Sequence, residues 1–552
     1  LVFIDGPNGV GEGTKGVTAF PNAVSIAASW DPKLARRYGV ALGNEAAGTG
    51  HSLIGAPTIN IVRTPLWGRA AETLGEDPFL TSSLAAPEIR GIQSQRIIAQ
   101  VKHYAVNNQE IGRFGPQLGS PGVDVRVSER TLHEIYFPGF RAAVGPGGAT
   151  SVMCSYNRIN GLQSCENPAT LAELRSFGLR GFVGPDATLA VHDVVAAAKA
   201  GVQNFQLGSI ASAAAGAAGG KGKAETEILR QAVASGQLPK SLLDTDARAI
   251  LTAMDRVGLL AHPHLEHRGT VSTAAHRALA TAISTEATVL LRNRRHVLPL
   301  TRRTRSIAVI GHDAGPGTYA EENGSPTVNP SRPVITPLAG IRARAPKGTR
   351  VRYAAGTKGV VSLPAIPSSV LTPTTGSGHG LSGAYYASAD SSGAPLTQKE
   401  VPTVDFAGKV KAPLQPIPGT KANSARWTGT LTPPRTGRYV FSLGVSGIVR
   451  LKLGNRVVVS GNTEWRTLAP ADPGAPPVAF QGTARLRAHH PVNITLEYST
   501  GLSIVGAELH GGWQPPSPGP VARAVAAPRH ARVAVVFAND STSEGMDRTS
   551  LA

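Results

Sequence analysis

The chain has 552 residues, of which 41% are hydrophobic, so it is long enough for several domains with sizeable cores. Its net charge is +19, but the basic residues are scattered and no basic run is interleaved with aromatic residues, which argues against a nucleic-acid partner. The sequence contains no run of 18 apolar residues, so we predict no membrane span. It contains no Cys/His cluster with zinc spacing, and we expect neither a metal nor another cofactor.

Residues 1–262 alternate short apolar runs with amphipathic segments, which is the pattern of repeated βα units around a parallel sheet. The predicted strands are Leu1–Ile4, Thr58–Val62, Ile98–Lys102, Ala149–Met153 and Gly181–Val183. The predicted helices are Pro32–Ala47, Ser128–Ala143, Pro168–Ser176 and Leu189–Ala200. We therefore predict an α/β fold that begins with a (β/α) barrel-like domain, incomplete because fewer than eight units are recognisable.

The second half of the chain changes character twice. Residues 263–275 are predicted to be a linker, followed by a helix at His276–Asn293 and a buried strand at Ser306–Ile310 that opens a second α/β domain, residues 276–371. Residues 378–515 instead show alternating strands, such as Arg438–Leu443, Ile448–Leu453 and Val492–Tyr498, and predict an all-β module. The buried-strand pattern returns at Ala531–Phe537, so the module is predicted to interrupt an α/β sandwich that resumes over residues 526–552.

The termini and the cysteines leave alternatives open. The chain begins on a strand pattern and stops just after a motif, so both ends are predicted to be cut, and we expect these residues alone to be poorly soluble or inactive. Location, whether secreted or cytoplasmic, and oligomeric state are therefore not predicted. Cys154 and Cys165 are eleven residues apart, which fits two reduced thiols or one disulfide that closes a short loop.

Two acidic residues are candidates for chemistry. The apolar run Gly181–Val183 leads to Asp186 just before a helical pattern, and a strand that delivers an acid at its C-terminal end is where a (β/α) barrel places a reacting group. Glu544 is a second acid, in a loop far along the chain. Two carboxylates that face each other across a cleft are what cleavage of a glycosidic bond needs. The alternative is that Asp186 caps the next helix and Glu544 is a solvated loop residue.

A series of motifs carries a family resemblance. The motifs are Asp5–Val10, Arg63–Glu72 with Gly75–Pro78, Lys102–Tyr104 with Asn107, Glu110 and Arg113, Ser128–Tyr136, Ser151–Asn157, Ala287–Asn293 with Leu298–Leu300, and Glu544–Arg548. In this order and spacing they resemble glycoside hydrolase family 3, the β-glucosidase-like enzymes. The β module, with Trp427–Gly429 and Thr436–Phe441, is similar to the PA14 module that several members of that family carry.

The resemblance implies an exo-acting, retaining β-glycosidase that hydrolyses O-glycosyl bonds at the non-reducing ends of an oligosaccharide or β-glycoside, most closely a β-glucosidase. It implies that Asp186 is the nucleophile and Glu544 the acid/base, whose pKa desolvation would have to raise. It also implies sugar-binding residues, and Glu72 is expected to orient one of them, Arg69. The implied binding residues are Asp5, Arg69, Lys102, His103, Arg113, Met153 and Tyr156.

Three positions depart from the family pattern. The family often has arginine where this chain has Gly11, an aromatic residue where it has Ala187, and an acid where it has Gln203. These departures keep two alternatives open, a β-xylosidase of the same family and a non-catalytic carbohydrate-binding homologue. The β module could recognise carbohydrate or serve only as a spacer.

Overall fold

The computed structural model describes residues 1–12, 14–113, 122–187, 189–209, 224–263, 269–315, 324–357, 363–407, 417–462, 478–500, 507–516, 519–540, 544–545 and 547–548. The chain divides into two compact units. The first unit comprises residues 1–289, 321–333 and 542–552, and the second comprises residues 290–320 and 334–541.

A parallel sheet forms the centre of the first unit. The strands of this region are β1 (Phe3–Asp5), β2 (Lys15–Val17), β3 (Leu53–Gly55), β4 (Ile98–Tyr104), β5 (Asp124–Val125), β6 (Ser151–Cys154), β7 (Arg158–Ile159), β8 (Leu162–Gln163) and β9 (Phe182–Pro185). The parallel sheet has the order β1-β3-β4-β6-β9, so each of its strands pairs with the strand of this sheet that comes next along the chain, as repeated βα units require.

Helices alternate with these strands. They are α1 (Ala23–Ser29), α2 (Pro32–Gly48), α3 (Pro78–Gln93), α4 (Glu129–Thr131), α5 (Phe137–Val144), α6 (Pro168–Ser176), α7 (Val194–Ala200), α8 (Ala224–Ala234), α9 (Lys240–Arg256) and α10 (Ala274–Glu286). A π-helical turn, Leu132–Tyr136, joins α4 to α5. Helices α2, α3 and α6 begin alike: Asp31, Asp77 or Asn167 accepts a backbone N–H, and proline opens the first turn, where no N–H is needed.

The core of the sheet explains which runs became strands. Leu53, Ile98 and Phe182 from three strands of this sheet form one buried cluster with Ala253 and Val257 at the end of α9. The predicted strand Thr58–Val62 is wrong, because the strand is Leu53–Gly55 and Thr58 forms only isolated bridges to Thr73 and Lys102. Leu53 pairs with both Phe3 and Ile98, and that register decides the strand.

Two predicted helices have different bounds. The helix predicted at Leu189–Ala200 begins at Val194, because Asp193 accepts the N–H groups of Val195 and Ala196 and caps it. The helix predicted at His276–Asn293 is α10, which Thr273 caps. Residues 264–268 of the predicted linker lie outside the described residues.

Cys154 and Cys165 form a disulfide, which decides between the two alternatives for them.

The second unit contains a small parallel sheet and an antiparallel β module. The strand β10 (Ser306–Ile310) is formed as predicted. The strand β11 (Asn329–Pro330) belongs to the first unit and pairs with β2. The remaining elements before the module are α11 (Pro337–Arg344) and β12 (Arg350–Ala354), and those after it are α12 (Gly519–Ala526) and β24 (Val533–Val536). The parallel sheet has the order β12-β10-β24.

The β module consists of two antiparallel sheets, as its alternating sequence predicts. Their strands are β13 (Leu371–Pro373), β14 (Leu381–Tyr386), β15 (Thr397–Val401), β16 (Asp405–Ala407), β17 (Ser424–Leu431), β18 (Gly437–Ser446), β19 (Ile448–Leu453), β20 (Arg456–Asn462), β21 (Val478–Leu486), β22 (Val492–Ser499) and β23 (Glu508–Gln514). One sheet has the order β15-β14-β17-β22-β19-β20, with β13 beside β17, and the other has the order β16-β23-β18-β21. Within the ranges given above, no helix is long and apolar enough to cross a membrane.

Candidate active site

Polar side chains gather at the carboxyl edge of the parallel sheet in the first unit. Asp5 is the last residue of β1, Lys102 and His103 lie near the end of β4, and Asp186 directly follows β9. Asp5, Lys102 and His103 are buried in spite of their polarity. Parallel strands bring their carboxyl ends to one edge, so residues distant in sequence meet there.

Asp5 and Lys102 form a buried ion pair. The Lys102 ammonium donates to Oδ1 of Asp5, and both side chains are almost fully shielded from solvent. Gly55 makes room for this pair, because a Cβ at that position would lie 2.6 Å from Oδ1 of Asp5. The pair places a fixed dipole at the edge of the sheet, able to bond the hydroxyl groups of a ligand.

The hydrogen bonds of His103 fix its tautomer. The Asn60 amide is oriented by two bonds to the His103 backbone, from His103 N to Oδ1 at 2.8 Å and from Nδ2 to the His103 carbonyl at 2.9 Å. Oδ1 of Asn60 also lies 3.1 Å from Nδ1 of His103, so Nδ1 carries the proton. Burial lowers the pKa of His103 well below its usual value, with Arg69 and Lys102 adding to the effect. The ring is therefore neutral, and Nε2 is an acceptor.

Asp186 keeps one carboxylate oxygen available. Its Oδ1 accepts the N–H of Ala187 at 2.8 Å, whereas Oδ2 has no hydrogen-bond partner among the described residues. Oδ2 lies 3.5 Å from Nε2 of His103, and because that imidazole is neutral the contact is not an ion pair. Burial raises the pKa of Asp186, although Arg113, Arg69 and Lys102 oppose the rise. Asp186 does not cap the next helix, which Asp193 caps instead.

Two arginines hold Glu544. Its Oε1 lies 2.6 Å from Nη2 of Arg113 and 3.4 Å from Nη1 of Arg69, and its Oε2 accepts the N–H of Ser325 at 2.8 Å. Burial alone would raise the pKa of Glu544, as the sequence analysis expected, but Arg69 and Arg113 reverse the direction and hold it well below its usual range. Glu544 is therefore a buried carboxylate in this state and not a solvated loop residue.

Arg113 and Tyr156 connect the two carboxylates. The Arg113 guanidinium that binds Glu544 lies 5.0 Å from the centre of the Tyr156 ring, and the Tyr156 side chain hydrogen-bonds Asp186. Met153, in β6, is buried beside this edge of the sheet. The structure thus brings every sequence-predicted site residue to one edge of the first unit.

Arg69 and Arg113 each have a second carboxylate partner. Glu72 binds Arg69 through both of its oxygens, as expected for a residue that orients it. Oε2 of Glu110 lies 3.0 Å from Nη1 of Arg113, and Oε1 accepts the indole N–H of Trp67 at 2.9 Å.

Sequence reasoning assigned no role to Asn60, Glu110, Asp547 or Glu12. Glu110 and Asp547 lay within recognised motifs, which was the signal available for them. Asn60 interrupts an apolar run at a position expected to be strand interior. Burial, followed by Asp5, raises the pKa of Glu12 to about 8, so its carboxyl is protonated at neutral pH. Within the described ranges no group of His, Cys, Asp and Glu side chains suits a metal ion.

Two of the family departures have a structural account. Oε1 of Gln203 accepts the N–H of Val183 at 2.8 Å and also bonds Arg175, so this amide secures β9 just before Asp186. A Cβ at Gly11 would lie 2.7 Å from the Ser325 carbonyl, so residues 324–328 occupy the space that a longer side chain would need. Nothing in the structure accounts for Ala187.

Family models match nearly the whole chain. Residues 1–253 match the glycosyl hydrolase family 3 N-terminal domain, and residues 288–552 match the glycosyl hydrolase family 3 C-terminal domain. A β-glucosidase of Rhizobium radiobacter is 33% identical over 475 residues, covering 84% of this chain and 53% of that protein. Thermostable β-glucosidase B of Acetivibrio thermocellus is 37% identical over 317 residues, covering 57% of this chain and 38% of that protein.

A solved structure shows the same fold. The crystal structure of DesR, a β-glucosidase from Streptomyces venezuelae in complex with D-glucose, superposes with a TM-score of 0.71 at 28% identity and covers 100% of this chain. The chain spans 63% of DesR and about half the length of the curated relatives, for example 53% and 57%.

Proposed function

The chain belongs to glycosyl hydrolase family 3, and from that premise we propose that it takes part in retaining hydrolysis of β-glucosides from their non-reducing ends. The relatives that bear the name β-glucosidase support this substrate class. One observation supports the chemistry most directly: Asp186 and Glu544 belong to one buried cluster that Arg113 and Tyr156 connect. Retaining hydrolysis needs such a pair of carboxylates about one sugar ring apart.

We assign Asp186 as the nucleophile because Oδ2 is the oxygen left without a hydrogen-bond donor among the described residues. In the first step Oδ2 would bond to the anomeric carbon while the bond to the leaving oxygen breaks, which forms a covalent glycosyl-enzyme. Tyr156 on Asp186 would keep the carboxylate oriented for attack. In the second step water would replace Asp186 at the anomeric carbon and free the carboxylate.

We assign Glu544 as the acid/base. It would protonate the leaving oxygen in the first step and deprotonate the attacking water in the second. Because the two arginines keep it ionised in this state, the role requires that substrate binding weaken one of these ion pairs. The contact of Glu544 with Arg69 is the longer of the two, and Glu72 already binds Arg69. We therefore expect substrate binding to weaken the ion pair between Glu544 and Arg69.

The remaining polar residues would bind the sugar. Asp5 and Lys102 would contact neighbouring hydroxyl groups of the sugar from one side of the pocket. Nε2 of His103 would accept a hydrogen bond from a sugar hydroxyl group beside Oδ2 of Asp186. Met153 and Tyr156 would line the pocket near the nucleophile. We also propose that the parallel sheet belongs to a (β/α) barrel and that the β module is a PA14-like module inserted into the α/β sandwich.

Trapping of the glycosyl-enzyme tests this proposal. An aryl β-glucoside with fluorine at position 2 should label the chain covalently, and mass spectrometry of its peptides should find the sugar on Asp186. With an ordinary activated aryl β-glucoside, Asp186→Ala should lose at least 10³-fold in kcat. The matched control is Asp193→Asn, since Asp193 caps α7 by accepting the N–H of Val195 at 2.8 Å and should leave kcat unchanged.

Other outcomes would support the alternatives. Faster turnover of an aryl β-xyloside than of the glucoside would identify a β-xylosidase. Calorimetric binding of sugar without turnover or labelling would identify a carbohydrate-binding homologue. Labelling of a residue other than Asp186 would refute the assignment of the nucleophile while leaving the reaction class intact.

A further inference from the structure

Asp547 binds the backbone of two separate loops. Its Oδ1 accepts the N–H of Gly68 at 3.0 Å, and its Oδ2 accepts the N–H groups of Glu110 at 2.9 Å and Ile111 at 3.0 Å. The three backbone N–H groups are shared between both carboxylate oxygens of Asp547. A side chain that could accept hydrogen bonds at only one of these two positions would leave at least one of the N–H groups without its bond.

The two clamped loops carry the arginines that hold Glu544. Gly68 directly precedes Arg69, and Glu110 and Ile111 lie just before Arg113. Asp547 itself follows Glu544 by three residues. One carboxylate therefore ties the segment that contains the acid/base to both cations that surround it.

Further contacts fasten the same segment from both sides. Gly545 donates its N–H to Oε2 of Glu110 at 2.8 Å, the carboxylate that also binds Arg113. Arg548 donates its N–H to the Leu66 carbonyl at 2.7 Å, and its guanidinium bonds the Pro65 carbonyl. The position of Glu544 relative to the arginines is thus set by a network to which Asp547 contributes three hydrogen bonds with backbone N–H groups.

Small shifts in this network would change the chemistry of Glu544. The charged and titratable groups that act on Glu544 or feel its charge come from several loops and strand ends, and they are Arg69, Arg113, Glu110, Tyr156, Asp186 and Glu12. The two arginine contacts differ in length, 2.6 Å and 3.4 Å, so displacement of either loop would alter how strongly Glu544 is held as an anion.

We propose that Asp547 is a positioning residue for the acid/base, which fixes Glu544 between Arg69 and Arg113 and thereby sets how effectively it protonates the leaving oxygen. The inference rests on the proposed β-glucosidase function and adds a residue to it. Asp547 contacts no reacting atom in this account; it acts through Glu544.

Leaving-group dependence separates this role from general support of the fold. A 2,4-dinitrophenolate leaves without a proton, whereas a phenolate of ordinary basicity needs protonation by the acid. In Asp547→Asn, the amide cannot accept at both positions. We expect kcat/KM for phenyl β-glucoside to fall at least tenfold and kcat/KM for 2,4-dinitrophenyl β-glucoside to stay within about twofold.

The matched control is Asp31→Asn, which removes the same charge from a helix cap and should leave both substrates unaffected. Equal losses on the two glucosides in a folded Asp547→Asn variant, or no loss on either, would overturn the proposal. If that variant does not fold, the same comparison on Asp547→Glu, which displaces the carboxylate by one methylene, decides between these results. A full-length wild-type protein that turns over neither glucoside refutes the proposed function, and the positioning role with it.

Discussion

Glu88 is a buried acid without a charged partner in the described part of the chain, and its replacement by glutamine should stabilise the first unit. It lies on the buried face of α3, is 1% exposed, and its Oε2 has no hydrogen-bond partner among the described residues. Burial raises the pKa of Glu88 to about 8 from an ordinary value of 4.5. The folded protein therefore holds a proton at neutral pH that the unfolded chain releases.

The sign and size of the effect follow from linkage. Because the folded-state pKa is raised, the folded state binds more protons than the unfolded state between pH 4.5 and 8, so stability falls as the pH rises through this window. At pH 7 the cost is roughly 3 kcal/mol, and at pH 5 it is roughly 1 kcal/mol, at about 1.4 kcal/mol per pH unit. Glutamine keeps the shape of the protonated acid and cannot ionise, so Glu88→Gln should lack this slope.

Urea unfolding at pH 5, 6 and 7 measures the effect, with protection of α3 peptides against hydrogen exchange as the local readout for the first unit. The advantage of Glu88→Gln over the wild type should grow by roughly 2 kcal/mol from pH 5 to pH 7. The control is Glu76→Gln, at an exposed acid just before α3, which should give curves parallel to those of the wild type. Parallel curves for Glu88→Gln as well would mean that Glu88 is solvated or paired, and the reasoning from burial would be refuted.

Three further predictions concern the site and its surroundings. Glu12 has a pKa raised to about 8 by burial and then Asp5, so its ionisation should produce an inflection near pH 8 in the kcat/KM profile; Glu12→Gln should remove that inflection, and a profile that keeps it would contradict the assignment. Gly11→Arg restores the family residue but places a Cβ 2.7 Å from the Ser325 carbonyl, so kcat/KM should fall more than tenfold; a gain in activity would show that residues 324–328 yield easily. Replacing Cys154 and Cys165 by serine opens a loop of eleven residues and should lower the urea-derived free energy of unfolding by about 3 kcal/mol. Equal free energies of unfolding for the wild type and the double variant under non-reducing conditions would contradict this prediction.

Sequence patterns located the site because its residues follow buried runs. Asp186 follows Phe182–Pro185, and Lys102 and His103 lie inside Ile98–Tyr104, so the apolar segments that predict strands also predict where their carboxyl ends lie. Strands of the β module such as Ile448–Leu453 were equally visible, because one face is buried and side chains alternate.

The pairing of charges could not be predicted in the same way. The pattern Thr58–Val62 looks more like a strand than Leu53–Gly55, yet the register with Phe3 and Ile98, set by contacts far apart in sequence, selected the latter. For the same reason the sequence suggested a raised pKa for Glu544 from burial and missed the two arginines that oppose it. Local pattern reports burial, whereas the sign of a pKa shift depends on partners that only the fold assembles.

The charges at this edge of the sheet have a consequence for catalysis. Each cation at the site already bonds a carboxylate other than the proposed nucleophile, in the pairs Lys102–Asp5, Arg69–Glu72 and Arg113–Glu110. Asp186 and Glu544 therefore add negative charge beyond what these pairs neutralise. Burial raises the pKa of Asp186 against the opposing effect of Arg113, Arg69 and Lys102, and burial followed by Asp5 raises the pKa of Glu12. A neutral sugar does not offset this negative charge, whereas the positive charge that would develop on the ring in an oxocarbenium-like transition state would. If Asp186 and Glu544 have the proposed roles, the site would stabilise the transition state more than the bound substrate, which is the property a glycosidase needs and a sugar-binding protein does not.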